Sequence, residues 1–196
     1  MKLFNKWETN GIIVEDPGIK KYINIAPIIV PRSLGRNAVS RFHKNKNNIV
    51  ERLMNKIITP GHRGKKHYIT SRKITGKYNN AYKIVLKSFE IIERETKENP
   101  VRVFVKAVEN AAPREEITTI EYGGARYPQA VECAPQRRID LALRQMTQAA
   151  YQKAFNKKKK IHETLSEEII NAYKLTQASQ AISKKLELER QADASR

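Results

Sequence analysis

Between Pro17 and Phe89 the chain carries 17 Lys and Arg residues and a single acid, Glu51. A segment of this kind repels itself when compacted, because its cations find no opposite charge nearby in the sequence. It can fold only if its apolar residues outweigh that repulsion and its cations are left where something anionic covers them. The rest of the chain lacks this bias. The total charge is +18, yet residues 90–196 hold 19 basic and 16 acidic side chains, so nearly all the surplus sits in one stretch. Phosphate is the usual compensation, and a nucleic acid is the first partner such a stretch implies.

The 196 residues, 40% of them hydrophobic, amount to about one domain with enough apolar side chains for a real core. Cys133 is the only cysteine, which excludes an intramolecular disulfide and a multi-thiolate zinc site and suits a reducing compartment. The opening "MKLFNKWETN" has no apolar signal-peptide core, and "YINIAPIIVP" is far too short to span a bilayer. These features read as a cytoplasmic protein with no membrane partner.

Residues 1–45, with prolines at 17, 27 and 31, read as a largely irregular N-terminal extension, part of it disordered without a partner, that ends in the basic stretch "RSLGRNAVSRFHKNK". Residues 46–196 read as a helical domain. Asn47 or Asn48 caps a first helix that buries Ile49, Val50, Leu53, Met54, Ile57 and Ile58, stops at Thr59–Gly61 and turns Arg52 and Lys56 outward. Gly61–Asn80 reads as a long basic loop. A second helix buries Ala81, Val85, Phe89 and Ile92. Asn99 and Pro100 open a third, with Val101, Phe104, Val105 and Val108 inward, and Pro113 ends it.

From about 114 to 133 the apolar period shortens towards two around Gly123-Gly124, which predicts a two-stranded antiparallel ribbon with Pro128 at an edge or unpaired position. Pro135 opens a fourth helix that buries Ile139, Ala142, Leu143, Met146 and Ala150 and places Arg137, Arg144 and Gln148 on one outer strip. There, at the junction of ribbon and helix, Arg137 and Arg138 are placed to address a phosphate together with the positive helix end. Thr164 and Glu167 read as a capping box for a fifth helix, and Ile182 and Leu186 carry a sixth. The fold class is therefore mainly α, a bundle of about six helices with a protruding two-stranded antiparallel β-ribbon and a basic N-terminal extension.

Catalytic patterns are missing. No Gly-rich phosphate loop or nucleophile elbow occurs, and His43, His62, His67 and His162 lie in basic stretches that oppose a metal. No metal or cofactor is expected and the chain reads as a non-enzyme. An RNA-processing enzyme would need converging carboxylates or histidines, and a DNA-compacting protein would bind duplex DNA and RNA equally. The scattered aromatic residues suit structured RNA better than a sheet-based single-strand binder.

"ERLMNKIITPGHRGKK", "AYKIVLKSFEIIERETKENPVRVFVKAVENAAPR" and "GGARYPQAVECAPQRRIDLALRQMTQAA", in that order, closely resemble small-subunit ribosomal protein seven. The openings "LFNKWETNGIIVEDPGIKKYI" and "GRNAVSRFHK" are similar to its archaeal and eukaryotic branch, and the extension suits an archaeal form. The resemblance implies a structural constituent of the ribosome that binds the 3′ major domain of small-subunit rRNA and nucleates assembly of the head. It implies a ribbon near the exit-site tRNA and the mRNA path, and a carboxyl-terminal helix against the neighbouring protein eleven. Carried over by motif, the RNA-binding set is Arg36, Arg41, Lys44, Lys46, Arg52, Lys56, Arg63, Lys65, Lys66, Arg126, Arg137, Arg138 and Arg144. The ribbon tip is Gly123, Gly124, Arg126 and Tyr127. Arg72, Lys73 and Lys77 are added on charge alone, since bacterial members have a much shorter connection at Gly61–Asn80. Tyr127-Pro128-Gln129 also departs from the bacterial pattern of the ribbon.

Overall fold

A computed structural model describes residues 1–60 and 76–196. In chain order these residues form α1 (Pro17–Lys20), a 3-10 turn (His43–Lys46), α2 (Ile49–Ile58), α3 (Tyr78–Thr96), α4 (Pro100–Ala111), β1 (Glu115–Tyr122), β2 (Ala125–Glu132), α5 (Pro135–Ala154), α6 (Ile161–Tyr173) and α7 (Gln180–Asp193). Local chemistry sets several of these boundaries. Asn48 accepts the Val50 N–H at 2.9 Å to start α2, Asn99 accepts the Val101 N–H at 3.0 Å to start α4, and Pro135 occupies the first turn of α5. α6 lies across α3, α4 and α5, and α2 packs on α3 and α5. Every inward position expected for the helices over 81–150 is buried. Among the described residues no helix is long and apolar enough to cross a membrane.

The ribbon forms as the sequence reads. Tyr122 pairs with Ala125 and Glu115 with Glu132, and Gly123 (φ 59°) and Gly124 (φ 80°) take the two left-handed conformations a tight two-residue turn requires. Pro128 stands opposite Thr119, and its missing N–H costs nothing where no third strand lies beside it. α7 packs against both strands, and Glu189 accepts the Arg114 N–H at 3.0 Å just below the base.

Four expectations need correction. The N-terminal segment is irregular in secondary structure, but Leu3, Phe4, Trp7, Val14, Ile19 and Ile23 fill the same core as the helices. Phe4 meets Tyr82 at 4.9 Å and Trp7 meets Phe89 at 5.8 Å between ring centroids, a long-range aromatic cluster that no local period announces. α3 begins at Tyr78 rather than Ala81, because the Tyr78 hydroxyl reaches the Pro31 carbonyl at 2.5 Å and draws the first turn onto the core. α6 begins at Ile161, where Glu163 accepts the Lys160 N–H at 3.1 Å; Thr164 is fully buried inside the helix and donates to the Ala150 carbonyl at 2.9 Å instead of capping. Leu186, expected inward, is 46% exposed, and Ile182 alone of that pair is buried.

Candidate nucleic-acid interface

Glu51, the lone acid of the basic stretch, does not neutralise a cation. It is buried, and its Oε1 accepts from the Ser33 N–H at 2.8 Å and the Ser33 hydroxyl at 2.6 Å, tying the basic loop to the flank of α2. The Asn37 amide donates to Asn47 at 2.7 Å, and the Arg32 guanidinium stands 4.8 Å from the Tyr78 ring centroid. The one counter-charge is thus consumed in positioning the loop. Among the described residues Arg36, Arg41, Lys46 and Lys77 are exposed and no acid lies within ion-pair distance of them.

The arginines at the start of α5 part company. Arg137 is exposed and forms a two-pronged pair with Glu116 of β1, Nη2 to Oε2 being 2.6 Å. The Glu116 hydrogen bond raises its pKa further, so it is a permanent cation. Arg138 is only 8% exposed. It donates to Asp16 Oδ2 at 2.6 Å and to the Pro113 carbonyl at 3.0 Å, and a Cβ at Gly18 would stand 2.8 Å from its Nη1. Burial pushes the Asp16 carboxyl up, but the Arg138 hydrogen bond, the Gly18 N–H and the charges of Arg138 and Arg114 outweigh it and leave its pKa lowered. Arg138 therefore clamps α1 to α5 and does not face solvent. Arg52 is also inside, 4% exposed, with Nη2 on Asp140 at 3.2 Å and Nη1 on the Tyr22 carbonyl at 3.1 Å.

Beside these two clamps lies an open cleft of about 380 Å³ lined by Phe42, Lys44, Lys56, Ala134, Gln136, Arg137, Asp140, Leu141 and Arg144. Its chemistry is lopsided. Lys44 and Arg52 share Asp140, whose carboxyl burial pushes up and those two cations pull below its usual value. Lys56 has its pKa lowered, first by burial and then by the charges of Arg144, Lys44 and Arg52, against which only Asp140 acts. Cations crowded this closely gain most from an anion set between them. No side chain caps the start of α5, so the N–H groups that follow Pro135 have no side-chain acceptor, and the Gln136 amide nitrogen is buried with no acceptor among the described residues.

Four of the residues expected to bind RNA thus converge on one site: Lys44, Lys56, Arg137 and Arg144. Arg36, Arg41 and Lys46 lie on the adjoining loop; Arg126 stands apart on the ribbon tip, 3.5 Å from Glu121. Arg63, Lys65, Lys66, Arg72 and Lys73 lie outside the described residues. Sequence reasoning missed Asp140, Asp16, Glu51 and Gln136. Asp140 had a usable signal, since it falls on the same helix face as Arg137 and Arg144.

Residues 20–196 match the sequence model of a family described as ribosomal protein S7p/S5e. The chain belongs to the ribosomal protein S7p/S5e family. Curated relatives are the small ribosomal subunit protein uS7 of Nanoarchaeum equitans, 56% identical over all of this chain and 99% of its own length, and that of Methanothermobacter thermautotrophicus, 48% identical over 96% of this chain and 95% of its own. The uS7 protein of Methanococcus maripaludis is 43% identical over all of this chain and 99% of its own. S7p/S5e is a structural, non-enzymatic family, in keeping with the absence of catalytic patterns in the sequence. Among the described residues the mainly helical fold with a two-stranded antiparallel ribbon is consistent with the fold of the family.

Proposed function

We propose that this chain is built into the small ribosomal subunit by binding the 3′ major domain of its rRNA, and that this binding nucleates assembly of the head. The cleft carries the reading: Lys44, Lys56, Arg137 and Arg144 converge beside the uncapped start of α5, with too little acid to balance them. Arg36, Arg41 and Lys46 extend the same positive surface along the basic loop, and Lys77 adds to it at the start of α3. Arg63, Lys65 and Lys66 belong to the same proposed set by motif, and Arg72 and Lys73 on charge alone. Arg52 and Arg138 serve it from inside by holding α2, α5 and α1 in place.

The ribbon tip, Gly123, Gly124, Arg126 and Tyr127, reaches the exit-site tRNA and the mRNA path, and α7 meets the neighbouring protein eleven. The support here is resemblance, together with a ribbon whose Tyr122 and Tyr127 are 81% and 57% exposed. The test is binding of the purified chain to a transcript of the 3′ major domain over a salt series, with tRNA and duplex DNA as competitors. A shaped RNA site keeps its advantage at high salt. Equal competition by all three would leave only sequence-independent counterion release and overturn the proposal.

A further inference from the structure

Phe42 is poorly explained by folding. Its ring is 58% exposed at the mouth of the cationic cleft, and its backbone is left-handed at φ 63°, a conformation that costs a non-glycine residue energy. The surrounding turn nonetheless holds it in place: the His43 N–H bonds the Ser40 carbonyl at 3.2 Å, the Asn45 N–H bonds the Phe42 carbonyl at 3.1 Å, and Lys44 is tied to Asp140. The Arg41 guanidinium stands 5.0 Å from the ring centroid. An apolar ring fixed in water between Arg41 and Lys44 contributes little to the free protein.

We infer that Phe42 is a stacking platform for one unpaired RNA base whose phosphate lies in the cleft between Lys44, Lys56, Arg137 and Arg144. This rests on the RNA-binding reading and adds the form of RNA held at this point: a single-stranded or bulged nucleotide rather than continuous duplex. Bases in a duplex stack on one another and present no free face to a side chain, whereas an unpaired base presents its whole face. The same cleft offers the Gln136 amide nitrogen, a buried donor without an acceptor among the described residues, to a phosphate oxygen. An apolar protein partner fits worse, since covering the ring would also bury Lys56 and Arg144, which form no ion pair among the described residues, while Asp140 already serves both Lys44 and Arg52.

The test uses the full chain, a short unstructured oligoribonucleotide and a blunt duplex of the same sequence. Phe42→Leu, which keeps an apolar side chain and removes the ring, weakens binding of the single strand about tenfold and leaves the duplex unchanged. Phe42→Trp restores single-strand binding. Both variants keep the wild-type melting temperature, because the ring is exposed. Unchanged single-strand binding by Phe42→Leu, or an equal loss on both ligands, overturns the platform while the cleft reading stands. Failure of the unaltered protein to bind either RNA would instead remove the cleft reading, and the platform with it.

Discussion

The cleft beside α5 and the tip of the ribbon both present arginine to solvent, and they hold it in opposite ways. In the cleft, Arg137 and Arg144 project from one helix that is locked below by Arg138 on Asp16 and flanked by Arg52 on Asp140. At the tip, Arg126 sits on a two-stranded ribbon supported only at its base, and its ionic partner is Glu121 across the pair at 3.5 Å. A rigid array of like charges is set before its ligand arrives, so the ordering cost falls on folding. The ribbon leaves that cost to binding, since an isolated two-stranded hairpin is marginal in water.

Removing a clamp is the hardest blow to this comparison. Arg138→Ala leaves Asp16 and the Pro113 carbonyl without their partner and lowers stability by about 3 kcal/mol in urea unfolding. Arg137→Ala, one residue away, should cost about 1 kcal/mol or less, because its guanidinium is largely exposed even though Glu116 is not. Equal losses would mean that the two arginines do the same job. Charge reversal of both together therefore tests folding as much as RNA binding.

Next in size is the cleft itself. Lys56→Ala with Arg144→Ala should weaken rRNA binding more than tenfold at physiological salt and flatten the slope of log affinity against log salt by about two, roughly one for each phosphate left without its cation. The melting temperature serves as the control. Acid gives a smaller effect. Asp16 and Asp140 both titrate below the ordinary 3.8, so their ion pairs stabilise the fold fully above about pH 4 and lose that contribution as pH falls through the lowered values. An Asp16→Asn variant should be less stable at neutral pH and show a shallower loss below pH 4; a parallel acid curve would mean that the clamp is not ionic. The smallest expected effect is at the tip. Arg126→Ala and Tyr127→Ala should change unfolding free energy by less than about 0.5 kcal/mol. A larger change would show that the tip supports the fold, contrary to its exposure.

Legibility followed the range of the interactions. Asn48, Asn99 and Pro135 act within one helical turn, and Gly123-Gly124 within two residues, so their consequences could be read locally. The packing of Trp7 on Phe89 could not, because it joins residues far apart with no period linking them. Thr164 looked like a cap because its spacing to Glu167 is right, yet its hydroxyl satisfies a carbonyl of another helix. Arg52 and Arg138 looked like surface cations because nothing beside them in sequence announces Asp140 or Asp16.

The sequence by itself determined that this chain is mainly helical with one ribbon, that its positive charge is concentrated in one stretch, and that its motifs belong to a ribosomal family. All three are local or additive properties of residues, and they survive without knowledge of which residues touch. Tertiary structure alone decided which cations face outward. Two of the expected RNA ligands are held inside by distant carboxylates, and four others meet at one cleft. An ion pair between residues 122 apart in the chain depends on where the fold brings them, and no spacing in the sequence encodes that distance.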